Sequence, residues 1–404
     1  MTGLRPSDPE VLATAVADSL VVAVDPDAPR SCLFYWENAR PWLTAVVDGV
    51  RKSRDDEIRS IGERLLENPA DPAHHRSLRQ ALVARGNDDP ATAELFEAAW
   101  QAECNNRLGY HLGPRYADDG ADPVTPDELK ALAPSTRPAA GADAEILVVI
   151  PFRDRDTREA RLRNLLACLH TLHDQSYARE RYRVVVVETD DRPRFSEVIR
   201  PHVDDYIFAP KADTFNKSWA VNVGVVNAAR AAEVICILDA DVLTDRDFIA
   251  RNAARFQRPG TAGHLTYRNM FSLSETATSN AIRQRVLGGA GQADPDTLRG
   301  FLLRRPPGCC LWVRTGAFHL IGGMDERYEG WGGEDNDFVY RMDFNAAFDS
   351  YDDWLLHMAH PPSSLLMEDG ELVNAHIPGL SWRPDGPIGR IDRFAVAEAS
   401  GTPA

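Results

Sequence analysis

Three short apolar runs, "EILVVIPF", "YRVVVVETDD" and "EVICILDADV", with segments of helical periodicity between them, constrain the fold of this chain more than any other feature. A run of consecutive apolar residues has no solvent side, so it fits a strand of a parallel sheet covered on both faces. The segments "EARLRNLLACLHTL" and "WAVNVGVVNAARAA" place apolar residues at three-to-four spacing, and "DDYIFAPK" adds a further strand. The class predicted is α/β, doubly wound. In such sheets ligands lie at the carboxyl ends of the strands, which here read "PFRDR", "ETDD" and "DADV". Arginine and acid gather where a nucleotide would lie.

Ahead of this region the texture is different. From about residue 8 to residue 110, "PEVLATAVADSL", "RPWLTAVVDGVRKS" and "ATAELFEAAWQAE" are helical in period, which predicts a small helical domain over residues 1–113. Residues 114–144, rich in Pro, Gly, Ala and Asp, read as a linker with one capped turn at "TPDELKAL". Residues 145–404 then form the main domain, in two halves, 145–256 with the alternating strands and helices and 257–404 of mixed texture. The second half carries a strand at "GCCLWVRT", a helix from "DNDFVYRM" and a strand-like "DDWLLHMAH". "SETATSNAIRQRVLGGAGQADPD" and "PPSSLLMEDGELVNAH" are candidate lids, with an ordinary surface loop as the default for each.

Composition excludes several functions. With 404 residues, 44% hydrophobic and 26% charged, the chain can bury a substantial core. A net charge of -16 without a basic block repels a phosphate backbone, so nucleic acid is not an expected partner. No stretch approaches the roughly 20 apolar residues of a membrane helix. The start "MTGLRPSDPEVL" lacks a signal-peptide layout, so the expected location is the cytoplasm. Six scattered cysteines with no CxxC pair argue against a zinc site or a disulfide framework.

The chemistry-bearing residues cluster at strand ends. Asp239 and Asp241 follow the strand "ICILDADVL", where alternation sends both carboxylates to one side, able to share a divalent cation or divide its work with a ribose hydroxyl. His357 and His360 in "LHMAHPP" can join Asp241 around one ion, and imidazole with carboxylate suits Mn²⁺ or another first-row ion. Asn216 stands near a helix N-cap with Lys217 beside it for an anionic group, and Arg153 and Arg155 suit diphosphate or base contact. In "GWGGEDNDF", Trp331 offers a flat face for sugars, while Gly332 and Gly333 let the backbone pass close to a ligand. Glu334, Asp335 and Asp337 crowd together and raise one another's proton affinity, so one of them can act as a general base. Taken singly, each feature also has an ordinary structural reading as a turn acid, a helix cap or a surface ion pair.

In order over residues 145 to 365, "IPFRDR", "FNKSWAVNVG", "LDADV", "GWGGEDND" and "HMAH" resemble a GT-A glycosyltransferase. The segment "IGGMDERYEGWGGEDNDFVYRM" is similar to the C-terminal signature of the β-1,4-galactosyltransferase family, with related signatures in bacterial chondroitin-type polymerases and polypeptide N-acetylgalactosaminyltransferases. The resemblance implies that Pro151, Phe152, Arg153, Arg155, Phe215 and Lys217 hold the nucleotide, with Lys217 where the galactosyltransferases have arginine. Asp239 would contact the nucleotide sugar, and Asp241 and His360 would ligate Mn²⁺, with Mg²⁺ as the other candidate ion. His357 falls where the animal enzymes use methionine, and His376 is a less favoured ligand. Glu334 would bind the donor sugar and Asp335 would be the base, with Asp337 or Glu334 as alternatives. Trp331, Asn336 and Asp337 would face the acceptor, Asn336 standing where the animal enzymes have an acid.

The implied function is a metal-dependent, inverting transfer of a hexose or N-acetylhexosamine from a UDP-sugar to an acceptor hydroxyl, in a bacterial cytosolic enzyme. The acceptor stays open among saccharide, natural product, peptide and lipid-linked glycan. Alternatives are a retaining transferase of the polypeptide N-acetylgalactosaminyltransferase type, whose members carry Asp-X-His, and a non-catalytic sugar-nucleotide-binding protein. The N-terminal helices are also a candidate for homo-oligomerisation or carrier docking.

Overall fold

The computed structural model describes residues 5–118, 120–132, 139–330, 332–362 and 373–394. The first helices start where the sequence supplies a cap. Helix α1 (Pro9–Val24) is capped by Asp8, and α2 (Asp27–Ser31) and α3 (Leu33–Arg51) follow it. Asp55 caps α4 (Asp56–Glu67), Asp71 caps α5 (Pro72–Arg85), and Asp89 caps α6 (Pro90–Cys104). Each of these aspartates accepts from N–H groups that a helix start leaves without partners. The chain then enters a strand, β1 (Leu108–Leu112), where a helical domain was expected to end.

Helix α7 (Pro126–Lys130) is closed by a Thr125/Glu128 capping box, as "TPDELKAL" predicts, and it packs on α8, so the expected linker is partly built into the fold. The alternating series follows: β2 (Ile146–Phe152), α8 (Ala160–His173), β3 (Tyr182–Glu188), α9 (Ser196–Ile199), β4 (Asp205–Phe208), α10 (Lys217–Asn227) and β5 (Val234–Leu238). Then come β6 (Val242–Leu243), α11 (Phe248–Arg255), β7 (Thr261–Leu265), β8 (Asn269–Leu273), α12 (Glu275–Ile282) and β9 (Arg299–Arg304). The last elements are β10 (Cys310–Arg314), α13 (Thr315–Leu320), α14 (Glu334–Asn345), β11 (Ala347–Ser350) and β12 (Leu355–His357). No helix among the described residues is long and apolar enough to cross a membrane. Of the two candidate lids, one begins as α12, and residues 363–372 of the other lie outside the described residues.

The chain divides into two compact units that do not follow the linear partition the sequence suggests. One gathers the chain up to Pro123 with Asn269–Ala281 and Asp294–Pro306. In it α1 packs against α3, α5 and α6, and β1 pairs antiparallel with β9, which pairs antiparallel with β8. Residues of the expected second half, 257–404, thus complete the sheet of the N-terminal unit, because the open edge of β1 needs a hydrogen-bonding partner. Arg299 of β9 pairs with buried Asp25 and donates to the Tyr110 hydroxyl at 2.9 Å, and Arg304 reaches Glu103 at 2.6 Å.

The other unit holds Val124–Arg268, Ile282–Ala293 and the chain from Pro307 onward. Its sheet runs β11-β7-β10-β5-β2-β3-β4. The four strands β4, β3, β2 and β5 are parallel, as expected, and β2 and β5 are buried along their whole length. Beyond β5 the sheet becomes mixed, because β10, whose direction the sequence leaves open, runs antiparallel to both β5 and β7. That reversal sets Cys310 opposite Leu238, so the start of β10 meets the end of β5 where its acids emerge. A short antiparallel pairing of β6 with β12 aligns Val242 with His357, bringing the "HMAH" segment beside Asp241.

Candidate active site

The carboxyl end of β5 organises two adjoining clusters. In the first, His357 Nε2 lies 3.4 Å from Asp241 Oδ1 and His360 Nε2 lies 3.0 Å from Asp241 Oδ2. The three side chains offer ligand atoms that all lie within 4.8 Å of one another. Asp241 Oδ1 is buried and accepts no hydrogen bond, as expected of an atom that a cation completes. Burial lowers the His357 imidazole to about 4, against the pull of Asp241, so at neutral pH the ring has a free nitrogen lone pair. One carboxylate and two imidazoles fit a first-row divalent ion that keeps positions open for substrate oxygens.

The backbone around these ligands is fastened from α8. Met358 N–H donates to Asp241 O at 2.8 Å. Arg163 Nη2 donates to Ala359 O at 2.7 Å, Asn164 Nδ2 to the same carbonyl at 3.1 Å, and Arg161 Nη2 to Pro361 O at 2.9 Å. Helix α8 is itself started by Asp154, whose carboxylate accepts from Leu162 N at 2.8 Å. Arg163 and Asn164 are buried, and as ordinary polar residues in a helix they carry no sequence signal of this task.

The second cluster is built on α10. Asn216 caps it, its Oδ1 accepting from Trp219 N at 2.8 Å, which aims the first-turn Lys217 inward. The Lys217 ammonium lies 2.8 Å from Asp239 Oδ1 and 3.0 Å from Asp335 Oδ2. Burial opposes its charge, yet Asp239, Asp335 and Glu334 prevail and hold its proton well above the ordinary lysine range. The same burial, reinforced by neighbouring carboxylates and opposed by Lys217, raises Asp239 to about 6 and Glu334 to about 7. Glu334 Oε2 accepts from Gly332 N–H at 3.1 Å, and Asp335 Oδ1 is buried without a hydrogen-bond partner.

Two further residues shape this cluster. A methyl group added at Gly308 would stand 2.3 Å from Asp335 Oδ2, so the carboxylate keeps this position only beside a glycine and would have to shift for any larger residue. Tyr267 donates its hydroxyl to Gly308 O, and Asp239 N–H donates to Cys309 O at 2.8 Å, which ties the start of β10 to the acid pair. Neither Gly308 nor Tyr267 was legible in the sequence. A glycine just ahead of the strand "CCLWVRT" was the available hint.

The remaining expected site residues divide. Pro151 and Phe152 are buried in β2, Phe152 in edge contact with Phe195 at 5.8 Å, so their side chains serve the core and are corrected as ligand contacts. Arg153 Nη2 donates to Ala212 O at 3.1 Å, and Arg155 donates to the same carbonyl at 2.7 Å and to Asp190 at 3.0 Å. Both arginines therefore fasten the loop that leads to α10. Beside them opens a cleft of about 460 Å³ whose wall carries Arg155, Arg192 and Arg194 together with Asp154, Asp156 and Glu159. Phe215 is half-buried and accepts from Gly330 N–H at 2.7 Å through its carbonyl. Lys217, expected at the nucleotide, bridges Asp239 and Asp335.

Asp337 does not join the other acids. Its carboxylate accepts from Arg341 Nε at 2.7 Å and from Leu380 N at 2.9 Å, so it holds α14 and is corrected as an acceptor ligand or base. Asn336 is half-buried in the first turn of α14. His376 is exposed and outside the ligand trio, and Trp331 lies outside the described residues.

An open α/β sheet with acids, arginines and imidazoles gathered at its strand ends has the layout of a nucleotide-sugar transferase of the GT-A class. Residues 147–318 match the family described as glycosyl transferase family 2, and residues 304–347 the one described as N-terminal domain of galactosyltransferase. These matches support a galactosyltransferase-like glycosyltransferase of the GT-A fold. Among solved structures it is similar to the catalytic domain of Drosophila β1,4-galactosyltransferase 7 in complex with xylobiose, at 18% identity over 59% of this chain and 83% of that one, with a TM-score of 0.36. The mannosyltransferase PcManGT from Pyrobaculum calidifontis, in complex with GDP-Man and Mn²⁺, is similar at 14% identity over 58% of this chain and 62% of that one, TM-score 0.36. S. aureus TarS 1–349 in complex with UDP is similar at 15% identity over 54% of this chain and 61% of that one, TM-score 0.38. No curated protein matches the chain.

Proposed function

We propose that the chain moves a hexose or N-acetylhexosamine from a UDP-sugar to an acceptor hydroxyl with inversion, using a divalent cation, Mn²⁺ or Mg²⁺, at Asp241, His357 and His360. The observation that carries this reading is the adjacency of two clusters at one strand end: a ligand trio with an orphaned Asp241 oxygen, and a lysine shared by Asp239 and Asp335. When bound, a divalent ion supplies charge neutralisation for a diphosphate leaving group.

The chain's own residues account for the rest. Asp335 takes the acceptor's proton at Oδ1 as the acceptor oxygen bonds to the anomeric carbon and the bond from that carbon to the diphosphate oxygen breaks. Lys217 occupies the other oxygen and fixes the carboxylate's direction, while Asp239 faces the nucleotide sugar. Glu334, raised to about 7 by burial, binds the donor sugar and is the alternative base. Arg153, Arg155 and Phe215 serve the nucleotide, Arg155 standing in the wall of the cleft beside them, and Trp331 and Asn336 serve the acceptor, whose class stays open. The cytoplasmic placement belongs to the same reading.

The deciding experiment is release of nucleoside diphosphate from UDP-, GDP- and dTDP-sugars with Mn²⁺, with Mg²⁺ and with chelator. Metal-dependent hydrolysis of one UDP-sugar is the expected outcome. Absence of both hydrolysis and calorimetric binding of UDP with Mn²⁺ overturns the reading. Once an acceptor is found, the anomeric configuration of the product, read by NMR, decides between inversion and retention.

A further inference from the structure

The chain from Glu329 to Gly333, just ahead of the acids of α14, contains no helix or strand among its described residues. Gly330, Gly332 and Gly333 have φ of 72°, 105° and 97°, conformations that glycine enters and leaves without steric cost. A loop of this kind keeps one shape only if something outside it supplies partners for its backbone. Gly330 N–H has Phe215 O, and the Glu329 side chain has Lys211 at 3.1 Å. The other tethers converge on one buried side chain. Asn374 Nδ2 donates to Glu329 O at 3.0 Å and to Gly332 O at 2.8 Å, and Asn374 Oδ1 accepts from Glu329 N at 3.2 Å.

We infer that Asn374 is a positioning residue for the sugar-transfer site: it holds the backbone at Glu329 and Gly332 where Gly332 N–H meets Glu334 Oε2. This rests on the glycosyltransferase reading of the site. A carboxamide suits the position because it donates twice and accepts in one plane, as the two facing carbonyls and one N–H require. A carboxylate of the same size supplies only the acceptor.

Asn374 can act as a fixed point because the segment behind it is strapped to the domain. Trp382 Nε1 donates to Gly322 O at 2.8 Å and Leu380 N–H to Asp337 Oδ1 at 2.9 Å. Further on, Gly389 N–H and Arg393 Nη1 each reach the buried carboxylate of Glu326 at 2.6 Å, and Trp219 Nε1 donates to Arg390 O at 2.8 Å. Asn222 completes Glu326 at 2.9 Å, so the strap, α10 and the stretch leading to the loop share one buried acid.

The test is Asn374→Ala beside the isosteric Asn374→Asp, read by backbone hydrogen exchange over residues 326–338, donor hydrolysis kinetics and UDP·Mn²⁺ affinity. Expected in both variants are faster exchange confined to the loop, kcat lower by roughly 10- to 100-fold, and unchanged UDP·Mn²⁺ affinity. Unchanged loop exchange overturns the inference, and so does unchanged kcat in a variant whose loop exchanges faster. If the wild-type protein neither turns over a sugar nucleotide nor binds UDP with Mn²⁺, the glycosyltransferase reading fails, while faster loop exchange in the variants still upholds the tether.

Discussion

Asp335 sits where one residue's chemistry can be separated from its neighbours' binding. Its Oδ2 is taken by Lys217 at 3.0 Å and its Oδ1 is unpartnered, so Asp335→Asn retains the lysine contact and loses the proton acceptor. Transfer should fall by about 10²- to 10⁴-fold with UDP·Mn²⁺ affinity unchanged. Retained turnover would assign the base to Glu334, and Glu334→Gln is the companion variant. Gly308→Ala tests the same carboxylate from behind, because the added methyl would stand 2.3 Å from Asp335 Oδ2 and push it off Lys217. A loss in kcat of roughly 10- to 100-fold is expected with little change in melting temperature. Gly316→Ala, whose methyl meets nothing within 4 Å, is the control, and equal activity in the two variants would refute the close approach. The acids, the lysine and the imidazoles of this site were legible because few residue types do this chemistry. Gly308, Asn164 and Asn374 were not, because a positioning residue is recognised only by its partners, which lie far away in the chain.

At the scale of elements, α8 works through its amino-terminal turns on a segment it meets only in the folded state. Asn164→Ala removes a donor to Ala359 O between the two histidine ligands, so Mn²⁺ affinity measured by titration calorimetry should weaken about 10- to 100-fold, the cost usual for a partner one shell out from a metal. An unchanged affinity would show that β12 alone sets the ligand spacing. The strands β2, β3 and β5 were legible because burial on both faces leaves a continuous apolar run, and a run of that kind names a strand without naming its neighbours. β1 was missed for the converse reason. "LGYHL" follows directly on a helical period and becomes a strand only by pairing Tyr110 with Phe301. The antiparallel course of β10 was equally hidden, since strand direction depends on how the chain returns to the sheet.

For the whole molecule, burial of neutral histidines sets the response to acid. Burial lowers His173 and His202 to about 4 and His264 to about 3, below the unfolded value of about 6.5. The unfolded chain then binds more protons than the folded one in that interval, so the stability these groups contribute is fully present above about pH 6.5 and is lost as pH falls toward 4. Asp239 and Glu334, raised to about 6 and about 7, run the opposite way over part of the same interval, and the paired acids with lowered values, Asp174 and Glu145 among them, add their loss only below the unfolded carboxylate range, under about pH 4.5. The melting temperature should therefore drop between pH 7 and pH 4.5. A melting temperature constant down to pH 5 would contradict neutral burial of these rings.

The amino-acid sequence by itself determined which stretches are strands of a covered sheet, which helices are capped and where, and which side chains could hold a cation, a proton or a diphosphate, because period, cap and functional group are properties of neighbouring residues. Only the tertiary structure decided that residues from beyond 268 complete the sheet of the N-terminal unit, that Phe152 and Asp337 belong to core and helix, and that Lys217 bridges two acids. Those outcomes depend on which backbone edge finds a partner and which charge finds its counterion. Partners of that kind are chosen by packing across distant segments, where no local pattern records them.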